Sequence, residues 1–134
     1  MKNIALAIFT IALLFAPITE LQAQTGKRIS FARGATSAVV SGKLSSFQDE
    51  AVYVIKLKAG QTLSTEQIKS EASTQYITLS ITDPSGEQVG DMDASCNNRF
   101  EIKPTVAGDY RIEVVQCQKA DEWKGSFKFR VRAL

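Results

Sequence analysis

One stretch of the sequence decides the fold: Ala51-Val52-Tyr53-Val54-Ile55-Lys56-Leu57-Lys58, followed by the turn segment Ala59-Gly60-Gln61. Tyr53, Ile55 and Leu57 stand at every second position, and successive side chains of a β-strand point to opposite faces. The stretch therefore predicts a strand with one apolar face. The glycine that follows supplies the positive φ that a type II turn needs.

The same alternation recurs along the chain on both sides of this stretch. Turn sequences such as Asp83-Pro84-Ser85-Gly86 separate these alternating segments. Predicted strands are Lys27–Phe31, Ser37–Leu44, 61–75, the apolar sets Ile77/Leu79/Ile81, Phe100/Ile102, Tyr110/Ile112/Val114 and Phe127/Phe129/Val131. Within 61–75 the alternative to a strand is a helical turn over Glu66 to Lys69. Seven to nine short strands with regular turns predict an all-β fold, a two-layer antiparallel β-sandwich with one shared core.

The N-terminal segment has the pattern of a secretory signal peptide. Lys2 gives a positive start, the run Ile4 to Pro17 is almost wholly apolar, and Ala23 offers a small residue before a cleavage site. The apolar run is too short to span a bilayer. We therefore expect a signal peptide over residues 1–23 and one β-sandwich domain over 24–134, located in the periplasm or secreted.

Two cysteines, Cys96 and Cys117, are present in the chain. Export places them in an oxidising compartment, where an even cysteine count in a small domain predicts a structural disulfide. A bridge closing a loop of this size contributes roughly 3 kcal/mol in the chain-entropy account.

Composition and charge exclude several classes of function. The net charge of +2 disfavours a basic nucleic-acid binder, and the absence of histidine removes the commonest general base. The adjacent acids Asp49-Glu50 and Asp121-Glu122 are the strongest carboxylate pairs, but no nucleophile, phosphate loop or metal cluster accompanies them. The segment from Asp91 to Ser95 resembles the start of a calcium loop, yet it lacks the Gly and Glu that the helix-loop-helix version requires, and the alternative is an irregular calcium site, which needs less. We expect a binding protein rather than an enzyme, with no metal and no cofactor.

The order of turns and aromatic residues resembles two groups of exported bacterial β-sandwiches. The relevant positions are Ser41-Gly42, Tyr53, Lys58-Ala59-Gly60-Gln61, Asp83-Pro84-Ser85-Gly86 and Ala107-Gly108-Asp109-Tyr110. One group is the pre-peptidase C-terminal domain, and the other is the periplasmic inhibitor of goose-type lysozyme. The small single-domain layout and the opening run from Phe31 to Gly42 favour the inhibitors. That resemblance implies a protein that blocks goose-type lysozyme by inserting loops into its cleft.

The resemblance implies two partner-binding loops, Ser45–Glu50 and Cys117–Gly125. Residues expected to contact the partner are Phe47, Gln48, Lys119, Trp123 and Lys124. The inhibitors carry arginines in the second loop, whereas this chain has Gln118, Lys119 and Glu122 there. Each aromatic residue has two interpretations: an interface anchor buried by the partner, or a side chain that folds back to cap the sandwich. Lys119 and Lys124 could pair with acids of a sugar-cleaving cleft, or they are solvated surface lysines.

Charge is unevenly spread, with basic ends and an acidic middle. On the last strand Lys128, Arg130 and Arg132 form a basic stripe opposite its apolar face. This stripe could meet phosphate, a polyanion or membrane headgroups, and an ordinary solvated sheet face would show the same alternation. The alternative to the inhibitor is a non-catalytic sandwich module that binds cell-surface polysaccharide or an envelope protein.

Overall fold

Two stacked β-sheets form the architecture. The computed structural model describes residues 25–89 and 96–134, and residues 1–23 and Asp91–Asp93 of the sequence predictions lie outside this range. The strands are β1 Lys27–Ile29, β2 Ser37–Leu44, β3 Glu50–Leu57, β4 Leu63–Ile68, β5 Ile77–Thr82, β6 Gln88–Val89, β7 Arg99–Ile102, β8 Gly108–Gln116 and β9 Gly125–Ala133. The predicted all-β sandwich is confirmed. Within the described ranges, no helix suited to crossing a membrane occurs.

The sheets contain five and four strands. One has the order β1-β3-β8-β5-β6 and the other β2-β9-β4-β7. Six of the seven strand pairings are antiparallel, and only β1 and β3, among the described strands, run parallel, with Lys27 opposite Tyr53. This exception arises because the chain leaves β1 for the other sheet and returns to the five-stranded sheet only at β3, without a hairpin between the two strands.

The segment 61–75 is a strand only in its first half. β4 ends at Ile68, and the polar residues that follow form a turn in which the Ser73 N–H donates to the Ser70 carbonyl at 3.0 Å. Serine and other small polar residues favour turns because their side chains compete for backbone hydrogen bonds. The prediction of strand is therefore confirmed over Leu63–Ile68 and wrong beyond it.

The core lies between the sheets and contains the predicted inward-facing side chains. Buried residues alternate along β5, β8 and β9, as predicted, and in β3 Val54 of the outer face is buried in addition to the inward-facing residues. The buried alternating residues are Tyr53, Ile55, Leu57, Ile77, Leu79, Ile81, Tyr110, Ile112, Val114, Phe127, Phe129 and Val131. Burial of this apolar surface is the main term that favours folding.

Three aromatic rings join the two sheets at the centre of this core. The Tyr53 ring of β3 meets Phe129 of β9 edge-to-face at 5.5 Å between centroids and Phe127 at 6.5 Å. Burial raises the pKa of Tyr53 above its usual value, since the phenolate would lose its hydration. Its hydroxyl lies 3.4 Å from the carbonyl oxygen of Ser41, to which it donates.

Gly42 of β2 leaves the space that these rings occupy. A Cβ atom at this position would lie 2.5 Å from the Tyr53 hydroxyl oxygen and would overlap the Phe127 ring. Gly42 pairs with Phe127 across the β2–β9 ladder, so the backbone cannot move away without breaking that ladder. The glycine is required here for close approach.

The predicted turns and the disulfide are present. Gly60 and Gly86 have φ of 81° and 89°, as their turns require. Asp83 Oδ1 accepts hydrogen bonds from the N–H groups of Ser85 and Glu87, which stabilises the turn after β5. Cys96 and Cys117 are bonded, with their Cα atoms 4.6 Å apart, and this bond ties the approach to β7 to the end of β8.

We predict that Gly42→Ala destabilises the protein by about 1–3 kcal/mol, because the added methyl group overpacks the aromatic cluster. Urea unfolding measures the change. Ser41→Ala, on the exposed neighbour, is the matched control and should change stability by less than about 0.5 kcal/mol. Equal stability of Gly42→Ala and wild type would show that the rings have room to spare.

Candidate functional site

The two predicted binding loops lie side by side at one end of the sandwich. The first loop, residues 45–49, joins β2 to β3, and the second, residues 117–124, joins β8 to β9. Leu44, the last residue of β2, pairs with Gly125, the first residue of β9. Because this pair is the end of the β2–β9 ladder, both loops leave the sandwich at the same end of its strands. We call this end, formed by residues 45–49 and 117–124, the loop end.

A direct hydrogen bond joins the two loops. The Phe47 N–H donates to Glu122 Oε2 at 2.9 Å. The first loop is also closed on itself, since Asp49 Oδ2 accepts from the N–H and the hydroxyl of Ser45 at 2.9 and 3.0 Å. Asp49 and Glu122 belong to the two carboxylate pairs named above as the strongest in the sequence. Here Asp49 closes the first loop, and Glu122 joins the first loop to the second. Both loops therefore present one joined surface.

The second loop is held from below by Gln116, the last residue of β8. Gln116 is almost fully buried, and its side-chain amide bonds to both backbone groups of Trp123: the Trp123 N–H donates to Oε1 at 2.9 Å, and Nε2 donates to the Trp123 carbonyl. A buried amide with its donor and acceptor both satisfied is stabilising, whereas an unpaired one is costly. Gln116 thus fixes the position of the loop at Trp123.

Trp123 packs against the core instead of projecting into solvent. Its side chain is half-buried on the hydrophobic core, and Nε1 donates to the Tyr76 carbonyl at 3.3 Å. This is the arrangement that the capping alternative describes. Its contribution to partner binding stays a prediction, while its place in the structure is that of a residue which anchors the loop to the sandwich.

Phe47 differs from Trp123. It is partly exposed, and within the described residues it is absent from the apolar side chains that pack against the core. Its backbone is fixed by Glu122, so the ring is held at the loop end without being needed for the core. Gln48, Lys119 and Lys124 are exposed on the same two loops.

A cavity of about 600 Å³ opens beside the loops. It is bounded by the end of β2, the start of β9 and the first loop, and its lining residues are Lys43, Leu44, Ser45, Asp49, Lys124, Gly125 and Ser126. Of the five predicted contact residues, only Lys124 reaches it. Lys43 and Lys124 place two cations at its rim, next to the single acid Asp49.

Two roles in this site were not predicted from the sequence. They are the binding of Trp123 by Gln116 and the bridge between the two loops formed by Glu122. Gln116 had a detectable signal, because it occupies an inward position in the alternating series of Tyr110, Ile112 and Val114. A polar residue at an inward position must have a buried partner. The partner of Glu122 is a backbone group 75 residues away, for which no local pattern exists. Among the described residues, no cluster of three or more acids or cysteines could hold a metal ion.

Comparison with known proteins supports the fold. No family model matches the chain, and no curated protein matches it. Among solved structures, PliG from Aeromonas hydrophila, a periplasmic inhibitor of g-type lysozyme, superposes with a TM-score of 0.61 at 20% identity, covering 82% of this chain and 96% of that one. PliG from Salmonella Typhimurium, also a periplasmic g-type lysozyme inhibitor, gives 0.56 at 18% identity, covering 82% and 100%. The predicted resemblance to these inhibitors is confirmed for the fold.

A pre-peptidase C-terminal domain, from the collagenase of Bacillus anthracis, superposes with a TM-score of 0.46 at 15% identity and covers 84% of this chain and 98% of that one.

We predict that Gln116→Leu loosens the second loop while leaving the sheets intact, because the backbone groups of Trp123 lose both partners. Amide exchange at Trp123 should become about tenfold faster or more, which corresponds to the loss of 1–3 kcal/mol for unsatisfied groups. Gln118→Leu, an exposed glutamine of the same loop, should leave this rate unchanged. Unchanged exchange in Gln116→Leu would mean that the side-chain clamp does not fix the loop.

Proposed function

We propose that this protein is a periplasmic or secreted inhibitor of goose-type lysozyme that occludes the active-site cleft with its loop end. The observation that carries the proposal is the joining of two loops from different strand pairs by the Phe47–Glu122 hydrogen bond, in a fold that g-type lysozyme inhibitors share. Two loops that are fixed to each other form a preorganised wedge. Preorganisation favours tight binding because little conformational freedom is lost on association.

Phe47 is the apolar anchor in this proposal. A partly exposed aromatic ring on a fixed backbone can transfer most of its surface into a partner pocket, and aromatic residues of this kind dominate interface energetics. Trp123 supports Phe47 indirectly. By packing on the core and bonding to Tyr76, it keeps the second loop, and through Glu122 also Phe47, in place.

The exposed cations of the second loop supply attraction. Glycosidases carry paired carboxylates in their clefts, so a lysozyme cleft presents negative charge to an approaching inhibitor. Lys119 and Lys124 lie at the exposed loop end and would raise the association rate by steering. Gln48 is the neutral polar contact beside Phe47. The mechanism is steric occlusion without chemistry on the lysozyme.

An activity titration tests the proposed function. The mature protein is added to goose-type and hen-type lysozymes that digest cell walls, with a disulfide-reduced sample as a control. We expect stoichiometric loss of goose-type activity alone. If neither enzyme is inhibited, the function passes to the alternative, a sandwich module that binds polysaccharide or an envelope protein.

We predict that Phe47→Ala weakens inhibition by about thirtyfold, the size expected for a central aromatic anchor at 2 kcal/mol or more. Its melting temperature should stay close to that of wild type, because the ring lies off the core. Val106→Ala truncates an exposed apolar residue at the opposite end of the sandwich and should inhibit as wild type does. Equal inhibition by Phe47→Ala and wild type would remove Phe47 from the interface.

We further predict that the double reversal Lys119→Glu/Lys124→Glu slows association, by about tenfold at low salt and less at high salt, since steering is screened. Stopped-flow or surface-binding kinetics would measure it. Lys58→Glu/Lys103→Glu changes the net charge equally at the far end of the sandwich and serves as the control. The same slowing in both variants would indicate attraction by net charge, with no special part for the loop end.

A further inference from the structure

The outer faces of the two sheets differ in charge. On the five-stranded sheet the outward charged residues balance, with three cations and three acids: Arg28, Lys56, Arg111, Glu50, Asp109 and Glu113. Two ion pairs neutralise most of them, Arg28 with Asp109 at 2.9 Å and Arg111 with Glu113 at 2.6 Å. The hydrogen bonds and the charge of the Arg28 guanidinium hold the pKa of Asp109 below its usual value.

The outer face of the four-stranded sheet is positive. The register of β2, β9, β4 and β7 places five cations and two acids on it: Lys43, Arg99, Lys128, Arg130, Arg132, Glu66 and Glu101. Within the described residues, Glu101 pairs with Lys103 just beyond β7, and none of the five cations of the face lies within 4.0 Å of a carboxylate in an ion pair. We call this surface the basic face.

The cations concentrate on two neighbouring strands. All the charged side chains that β2 and β9 direct to this face are basic, namely Lys43, Lys128, Arg130 and Arg132. Side chains two residues apart on a strand are separated by about 7 Å, so the β9 residues form a row of evenly spaced positive charges. The other outward residues of these strands have short, uncharged side chains: Ser37, Val39, Ser41 and Ser126. Small neighbours leave the long cationic side chains free to reach a ligand, and the serine hydroxyls add donors.

A groove runs beside this row. It lies over β4, has a volume of about 220 Å³, and is lined by Arg130 and Arg132 on one side and Arg99 on the other. Ser64 and Glu66 of β4, Glu101 of β7 and Leu134 after β9 also line it, so three guanidinium groups face two side-chain carboxylates there. Guanidinium groups from two strands can therefore contact one ligand chain from both sides, which suits the bidentate binding of phosphate by arginine.

We propose that the basic face binds a linear phosphate-bearing polymer of the cell envelope, lying along β9. The row of charges with a period of about 7 Å matches a chain of repeated anionic groups better than a single anion. A lipid surface fits less well, because peripheral membrane binding uses apolar and aromatic insertion, and among the described residues this face and its groove expose only two large aliphatic side chains, Val39 and Leu134. The proposal does not depend on lysozyme inhibition, since the basic face and the loop end are separate sets of residues.

Binding of poly(glycerol phosphate) to the mature protein, measured by calorimetry over a range of salt concentrations, tests the proposal. Neutral dextran and vesicles of phosphatidylglycerol with phosphatidylcholine are measured in parallel. We expect salt-dependent binding to the phosphate polymer, none to dextran, and weaker binding to vesicles than to the polymer. Absence of polymer binding at low salt, or binding to vesicles alone, would overturn it.

The variant Lys128→Gln/Arg132→Gln removes two exposed cations of the row and should weaken polymer binding roughly tenfold at low salt, with a shallower salt dependence. Lys56→Gln/Lys58→Gln lowers the net charge equally away from the basic face, and should bind as wild type does. Thermal melts confirm that both variants fold. Equal weakening in the two variants would show that binding follows net charge and would refute a defined face.

Discussion

The contact of Tyr53 with Phe127 and Phe129 across the two sheets is the interaction on which the rest of the structure depends. It places the strand that decides the fold, β3, over the strand that carries the loop end and the basic face, β9. The contact is possible only because Gly42 has no side chain. Three rings and one glycine therefore fix the distance between the sheets, and with it the relative position of the loops that each sheet carries.

This packing determines the position of the loop end. The β2–β9 ladder ends at Leu44 and Gly125, so the loops after β2 and before β9 must emerge together. Gln116 and Trp123 then fix the second loop to the core, and Glu122 fixes the first loop to the second. The disulfide constrains the start of the second loop at Cys117. A surface that has few internal degrees of freedom in this way is suited to filling a cleft, since ordering costs on binding are small.

The sequence predicted the strands and the core because both depend on local alternation, which Tyr53, Ile55 and Leu57 display clearly. The turn at Gly60 and the pairing of Cys96 with Cys117 were predictable for similar reasons, one from backbone conformation and one from the count of cysteines. The strand predicted over 61–75 was too long, because the polar residues after Ile68 favour a turn.

Other features depend on which distant segments of the chain meet. These are the parallel pairing of β1 with β3, the hydrogen bonds of Gln116 to Trp123 and the Phe47–Glu122 bond. Alternation in one sequence does not contain that information. The sequence showed the row of basic residues on β9. That cations outnumber acids on the whole outer face depends on the pairing of four strands in one sheet, which the sequence did not show.

The most direct test of the central claim, that the loop end is the lysozyme-binding surface, is amide hydrogen exchange of the protein with and without a catalytically inactive goose-type lysozyme. We predict protection confined to residues 45–49 and 117–124, with exchange unchanged in the turns at the opposite end and on the outer face of the five-stranded sheet. Protection at the opposite end, or at the strand edges with none at the two loops, would contradict it.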